Sequence, residues 1–118
     1  MAIKLKRVYD EPKKADGYRV LVDRLWPRGL SKDDAHVDKW LKDIAPSDQL
    51  RKWFHEDRSR WAEFRKRYLS QLKENRETLK SLAKRAKRDR ITLVYSSKDT
   101  EHNNAVVVKQ YLEMLSPD

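Results

Sequence analysis

In a chain where 40% of residues are charged, the five residues Ile91–Tyr95, ITLVY, are almost continuously apolar. The run is too short for a helix, rich in β-branched residues, and follows a charged segment that reads as a helix end. It therefore reads as a strand buried on both faces. Such a strand needs covering layers on each side, which restricts the chain to an α/β arrangement with helices around a sheet.

Two more strands are legible upstream. Ile3–Val8, IKLKRV, alternates apolar and basic residues, the period-two mark of a half-buried strand. Tyr18–Asp23 is rich in aliphatic and β-branched residues. The connector between them, YDEPKKADG, carries Pro12 and the turn pair Asp16-Gly17. It is only nine residues long, and parallel crossovers usually take about a dozen or more. The first two strands thus either pair as a hairpin or sit apart in the sheet.

Helices occupy the middle. Ser47 is placed to cap a helix whose Leu50, Trp53 and Phe54 share a face. Asp57 is placed to cap the next, with Trp61, Phe64, Tyr68 and Leu72 at helical spacing. Asn75 caps a third, turning Leu79, Leu82, Ala83 and Ala86 inward. A closing helix from Asn103 to Leu115 aligns Val108, Tyr111, Leu112 and Leu115. Periodicity already accounts for these aromatics and leucines as core. The fold expected is α/β: a small, mostly parallel three-stranded sheet flanked by helices, with Rossmann-like layering, in one domain spanning 1–118.

Composition removes several functions. With no cysteine, disulfides and thiol catalysis are excluded. No run approaches the roughly 20 apolar residues that span a bilayer, and the N-terminus lacks the apolar core of a signal peptide. A cytoplasmic protein with no membrane partner is expected. His36, His55 and His102 lack metal-site spacing, and neither a Walker loop nor a dinucleotide fingerprint is present. No metal or cofactor is therefore assigned, and the residues name no reaction.

The net charge of +9 is concentrated. Between Arg51 and Arg90 stand 15 Lys and Arg against 6 Asp and Glu; the remainder is balanced. Such a segment can attract a phosphate backbone by counterion release, or it can simply solubilise helices.

Three polar clusters follow the three strands. If the strands are parallel, the clusters share the sheet edge where open α/β sheets bind ligands. The first is Lys6, Arg7 and Tyr9. The second is Arg24, Trp26 and Arg28, in DRLWPRG: guanidinium forks suited to a carboxylate or phosphate, an aromatic plate, a stiffening Pro27 and a permissive Gly29. The plainer alternative is an Asp23–Arg24 structural pair with Trp26 packed under a helix. The third is YSSKDTEHNN, where Ser96, Lys98, His102, Asn103 and Asn104 stand at a strand-to-helix turn whose free N–H groups suit an anion. Ordinary capping competes for the same N–H groups.

Together, KRVYD, DGYRVLVDRLWPRGLSK, WLKDIAPSDQLRKWF, FRKRYLSQL and ITLVYSSKDTEHNNAVVVKQYL resemble the YeaO-like branch of the DUF488 family over nearly the whole chain. That resemblance implies a small cytoplasmic α/β protein of unestablished function. In the wider family a DVR ends the second strand, which Asp23-Arg24 matches in part. A Cys-His-Arg at the last helix start corresponds here to His102, Asn103 and Asn104, so thiol chemistry does not carry over. In this branch a histidine is common where Asn104 stands.

Two functions follow as expectations. One is a site for an anionic small molecule, a phosphate or carboxylate, at the carboxyl edge of the sheet, catalytic or not, with Arg24, Arg28, Lys98 and Asn103 converging. The alternative is non-specific nucleic-acid binding through a continuous basic stripe in 51–90. A weaker third is protein binding, which an exposed Trp40 or Trp53 would favour.

Overall fold

The apolar run becomes a strand whose position explains its composition. A computed structural model of the chain describes residues 2–115. Its strands are β1 (Ile3–Arg7), β2 (Tyr18–Leu21), β3 (Lys39–Trp40) and β4 (Ile91–Tyr95), in the order β1-β4-β2-β3, all parallel. All five residues of β4 are buried, as a strand with neighbours on both edges and layers on both faces must be.

The sheet is mostly as expected, with one correction and one choice resolved. It has four strands rather than three: β3 pairs only Lys39 and Trp40 with Val20 and Leu21, too short a segment to show any alternation. β1 and β2 do not form a hairpin. They sit apart with β4 between them, Leu5 and Val20 both in register with Leu93. The connector, residues 8–17 between the observed strand ends, therefore needs only to return to the starting edge of the sheet, a span that extended chain covers easily at about 3.3 Å per residue.

Register sorts the side chains into two faces. Ile3, Leu5, Ile91, Leu93, Val20 and Val22 turn toward the helices α2 (Asp48–Glu56), α3 (Trp61–Lys73), α4 (Arg76–Arg88) and α5 (Asn104–Leu115), where Phe64, Tyr68, Leu72, Leu79 and Leu112 complete the main core. The opposite face, with Leu21 and Val94, is covered by Val8 and by the segment carrying Trp26, Leu30, Ala35, Val37 and Trp40, including the short α1 (Lys32–Ala35).

The helix starts obey local chemistry. The Ser47 hydroxyl accepts from the Leu50 N–H at 3.2 Å, and Asp57 accepts from the Ser59 N–H, capping a short turn that leads into α3. Asn75 stands before α4 without capping it through its side chain, which donates instead to the Asp43 carbonyl at 3.4 Å. Gly17, at φ +66°, allows β2 to begin tightly against β4: a Cβ there would lie 2.4 Å from the Arg90 carbonyl oxygen.

His36 ends α1 in the left-handed region, φ 51° and ψ 40°, where a Cβ costs energy. His36→Gly is therefore expected to stabilise the fold by about 0.5 kcal/mol, the steric relief being partly offset by glycine's greater freedom when unfolded. Urea unfolding should show a raised midpoint with an unchanged slope.

Candidate functional site

The carboxyl ends of β1, β2 and β4 open onto a cavity of about 480 Å³. Its frame is a carboxylate staple. Asp23, just past β2, accepts from the Ser96 N–H at 2.8 Å and the Ser96 hydroxyl at 2.7 Å on Oδ2, and from the Asn104 amide at 3.1 Å on Oδ1. One side chain thus ties the end of β2 to the end of β4 and the start of α5. Burial pushes the Asp23 carboxyl above its usual range, against the opposing pull of these bonds.

One wall comes from DRLWPRG. Arg24, Trp26, Pro27 and Arg28 all line the cavity. Asp23 and Arg24 do not pair: the Arg24 Nε donates to the Pro46 carbonyl at 3.3 Å and lies 3.7 Å from Asp48. Trp26 donates to the Leu30 carbonyl at 2.6 Å and meets Trp40 edge-on at 5.4 Å, which seats its ring between the cavity and the second core. Gly29 turns the chain with φ +77°. Tyr9 also lines the cavity and donates to the Arg28 carbonyl at 2.9 Å, bracing this loop.

The facing wall comes from α2 and the turn after it, with Arg51, Phe54, His55 and Arg58. Arg51 lies 3.4 Å from Asp48, while its Nε is buried without a hydrogen-bond partner among the described residues. Arg58 donates to the His102 carbonyl at 2.8 Å and crosses the Phe54 ring at 4.6 Å. Burial, then the charges of Arg58 and Arg51, push His55 below its usual value, opposed by Asp23. Phe64 closes the apolar side.

The turn from Ser96 to Asn104 has largely spent its donors on itself. The Ser97 hydroxyl accepts from the Asp99 N–H, and Asp99 Oδ1 accepts from the N–H groups of Glu101 and His102, both at 2.9 Å. Asn103 is buried, its amide donating to the Asp99 carbonyl and its Oδ1 accepting from the Val106 N–H at 3.1 Å. Capping is what this turn does with those groups. The His102 ring rests 4.9 Å from that of Trp61.

Of the expected site residues, Arg24, Trp26, Arg28, Ser96, His102, Asn103, Asn104 and Tyr9 therefore line one cavity. Lys98 does not: it is exposed and outside the lining, because the turn hands its inward positions to Ser96, Asn103 and Asn104. Lys6 is drawn away to Asp16 at 3.0 Å. Arg7 acts from behind, donating to the carbonyls of Ser97 at 2.9 Å and Ser96 at 3.2 Å. Sequence reasoning missed Arg51, His55 and Arg58 as lining residues, although their i, i+4, i+7 spacing is a helical face.

The basic surplus of 51–90 is divided. Arg51 and Arg58 face the cavity, Arg60 and Arg67 stack on Trp53 at 4.8 and 4.4 Å, and Arg85 lies over Tyr18 at 3.6 Å. Trp53 and Trp40 are both partly buried. Among the described residues, no group of His, Cys, Asp and Glu is arranged to hold a metal ion, and no helix is long and apolar enough to cross a membrane.

Fold and cavity define a small, all-parallel α/β protein with an arginine-lined pocket at the carboxyl edge of its sheet. Comparison with known proteins supplies the family. The chain belongs to DUF488: the model described as the inactive DUF488-N3 subclade matches residues 2–116. It is 48% identical over 115 residues to the uncharacterized protein YeaO of Escherichia coli K12, covering 98% of this chain and 100% of that one. It is 40% identical over 110 residues to an uncharacterized protein of Mycobacterium bovis, covering 93% of this chain and 92% of the relative. An uncharacterized protein of Mycobacterium tuberculosis H37Rv matches at the same 40% over 110 residues. No solved structure matches the chain significantly.

Proposed function

We propose that this protein binds a small phosphate- or carboxylate-bearing molecule in the cavity at the carboxyl edge of its sheet, and does not transform it. The observation that carries this reading is the lining itself. Four guanidinium groups, from Arg24, Arg28, Arg51 and Arg58, share it with a single carboxylate, that of Asp23. Guanidinium forks match the oxygens of such anions, and the volume falls within the range of about 300–1,000 Å³ usual for small-molecule sites. A binding role without turnover accords with the description of the matching subclade as inactive.

Thermal shift and calorimetry with sulfate, sugar phosphates, nucleotides and carboxylates test the reading. At a ligand concentration near one hundred times Kd, a bound anion adds about 2.7 kcal/mol of stability, a rise of several degrees in Tm. Arg51→Ala should weaken binding about tenfold, equivalent to about 1.4 kcal/mol. Binding unchanged in both Arg51→Ala and Arg28→Ala would place the ligand elsewhere.

The same site sets a pH dependence. Burial, and then Arg58 and Arg51, lower the His55 pKa; a bound anion offsets part of that repulsion and favours the imidazolium. Affinity for sulfate, whose charge does not change over this range, should rise as pH falls through the lowered His55 pKa. His55→Gln should flatten the profile, and an equal slope in wild type and variant counts against a role for His55.

A further inference from the structure

Asp23 is out of place in a pocket built only for an anion. It is the only carboxylate in the lining, and no cation lies within ion-pairing distance of it among the described residues. An ionised carboxylate offers about four acceptor positions. Ser96 fills two on Oδ2 and Asn104 one on Oδ1, which leaves one on Oδ1. Because a carboxylate only accepts, its bond to Asn104 fixes that amide with the nitrogen toward Asp23. The Asn104 amide oxygen then accepts no bond among the described residues. Two unfilled acceptors thus adjoin in a cavity otherwise furnished with arginine donors.

A bare anion would use the arginines, leave both acceptors unsatisfied and be repelled by Asp23. We infer that the ligand is an anion that also carries an N–H donor, its anionic group held by Arg51 and Arg58 and its N–H group held by Asp23 with Asn104. This rests on the anion-binding reading proposed above and makes Asp23 the residue that sets specificity. The partly buried Trp26 ring supplies an apolar surface for a flat or hydrocarbon body joining the two ends. The chemistry is met by an N–H-bearing ring joined to a phosphate, and equally by an ammonium joined to a carboxylate.

Matched pairs decide it. Calorimetry compares guanosine 5′-monophosphate with purine riboside 5′-monophosphate, which keeps the ring and phosphate but has no N–H on its base, and phenylalanine with 3-phenylpropanoate, which retains the carboxylate but lacks the ammonium. In the wild type, the N–H-bearing member of one pair should bind at least tenfold tighter, and the pair that shows the gap identifies the source. Asp23→Asn should bring that ratio close to one, whereas Arg51→Ala should weaken both members alike and preserve it. Equal affinity within both pairs in the wild type overturns the inference while leaving anion binding intact, and needs no variant to fold. Binding of none of the four probes removes both readings.

Discussion

Asp16→Ala is expected to destabilise the fold by about 3–5 kcal/mol, the usual cost of stranding a buried charge. Asp16 is fully buried, and its Oδ2 accepts from the Arg19 guanidinium at 2.7 Å, the Lys6 ammonium at 3.0 Å and the Lys13 N–H at 3.0 Å. The Arg19 side chain is itself only 4% exposed, so removing the carboxylate leaves a guanidinium inside the protein with no counter-charge. Its other donors reach only the carbonyls of His36 and Ala35. The Asp16 backbone also accepts from the Thr92 hydroxyl at 2.6 Å, so the damage sits between β2 and the middle strand.

Titration gives a second signature. Burial alone would raise the Asp16 carboxyl, but the bonds from Lys13, Lys6 and Arg19 outweigh it and lower the pKa from 3.8 to about 2. A carboxylate bound more tightly as the anion in the folded state stabilises fully above the unfolded value and loses that contribution as pH falls through the folded one. The wild type should shed about 2 kcal/mol between pH 5 and pH 2 from this group alone. Asp16→Asn, less stable at neutral pH, should lack that part of the slope. Urea midpoints across this range measure both, and parallel curves for wild type and Asp16→Asn would show that the acid sensitivity arises elsewhere.

Phe64→Ala is expected to cost about 3–5 kcal/mol as well, by a different route: lost burial plus a void that the surroundings fill only in part. The ring is 1% exposed and stacks on Phe54 at 4.4 Å, with Trp61 and Tyr68 each at 5.7 Å. Because Phe64 also walls the cavity at the carboxyl edge of the sheet, the proposed anion binding should be weaker in the variant even at temperatures where it remains folded. Phe64→Leu, keeping most of the volume, should lose about 1 kcal/mol. An alanine variant within about 1 kcal/mol of wild type would mean the aromatic cluster repacks freely.

How far the sequence could be read depended on whether a residue's role was local. β4 was legible because burial on both faces requires an unbroken apolar run. β1 showed because only alternate residues meet the core. β3 was not, since two backbone pairings impose no pattern. The Ser47 cap needed only its own helix to be recognised. Asn103 was recognisable as a group at a helix start, but only the traced turn shows both of its amide atoms spent internally. The direction of the Lys98 side chain depends on how that turn winds, which no spacing rule records. Arg51, His55 and Arg58 carried a visible helical period, yet their aim at the cavity follows from where α2 crosses the strand ends. Asp23 drew notice beside Arg24, its neighbour in sequence, while its partners lie more than seventy residues away, at Ser96 and Asn104.

The strand order also bears on how the chain leaves the ribosome. β1 and β2 are separated in the sheet by β4, the last of the four described strands in chain order. Until Ile91–Tyr95 has cleared the exit tunnel, the two earlier strands lack the neighbour that supplies most of their backbone pairing, and only the two-residue contact with β3 can form. At translation speeds of about 5–20 residues per second, a nascent chain passes several seconds with those edges open, the condition under which strands recruit wrong partners. Lys4 and Lys6 place charge on β1, the feature by which an open strand edge resists pairing with another chain.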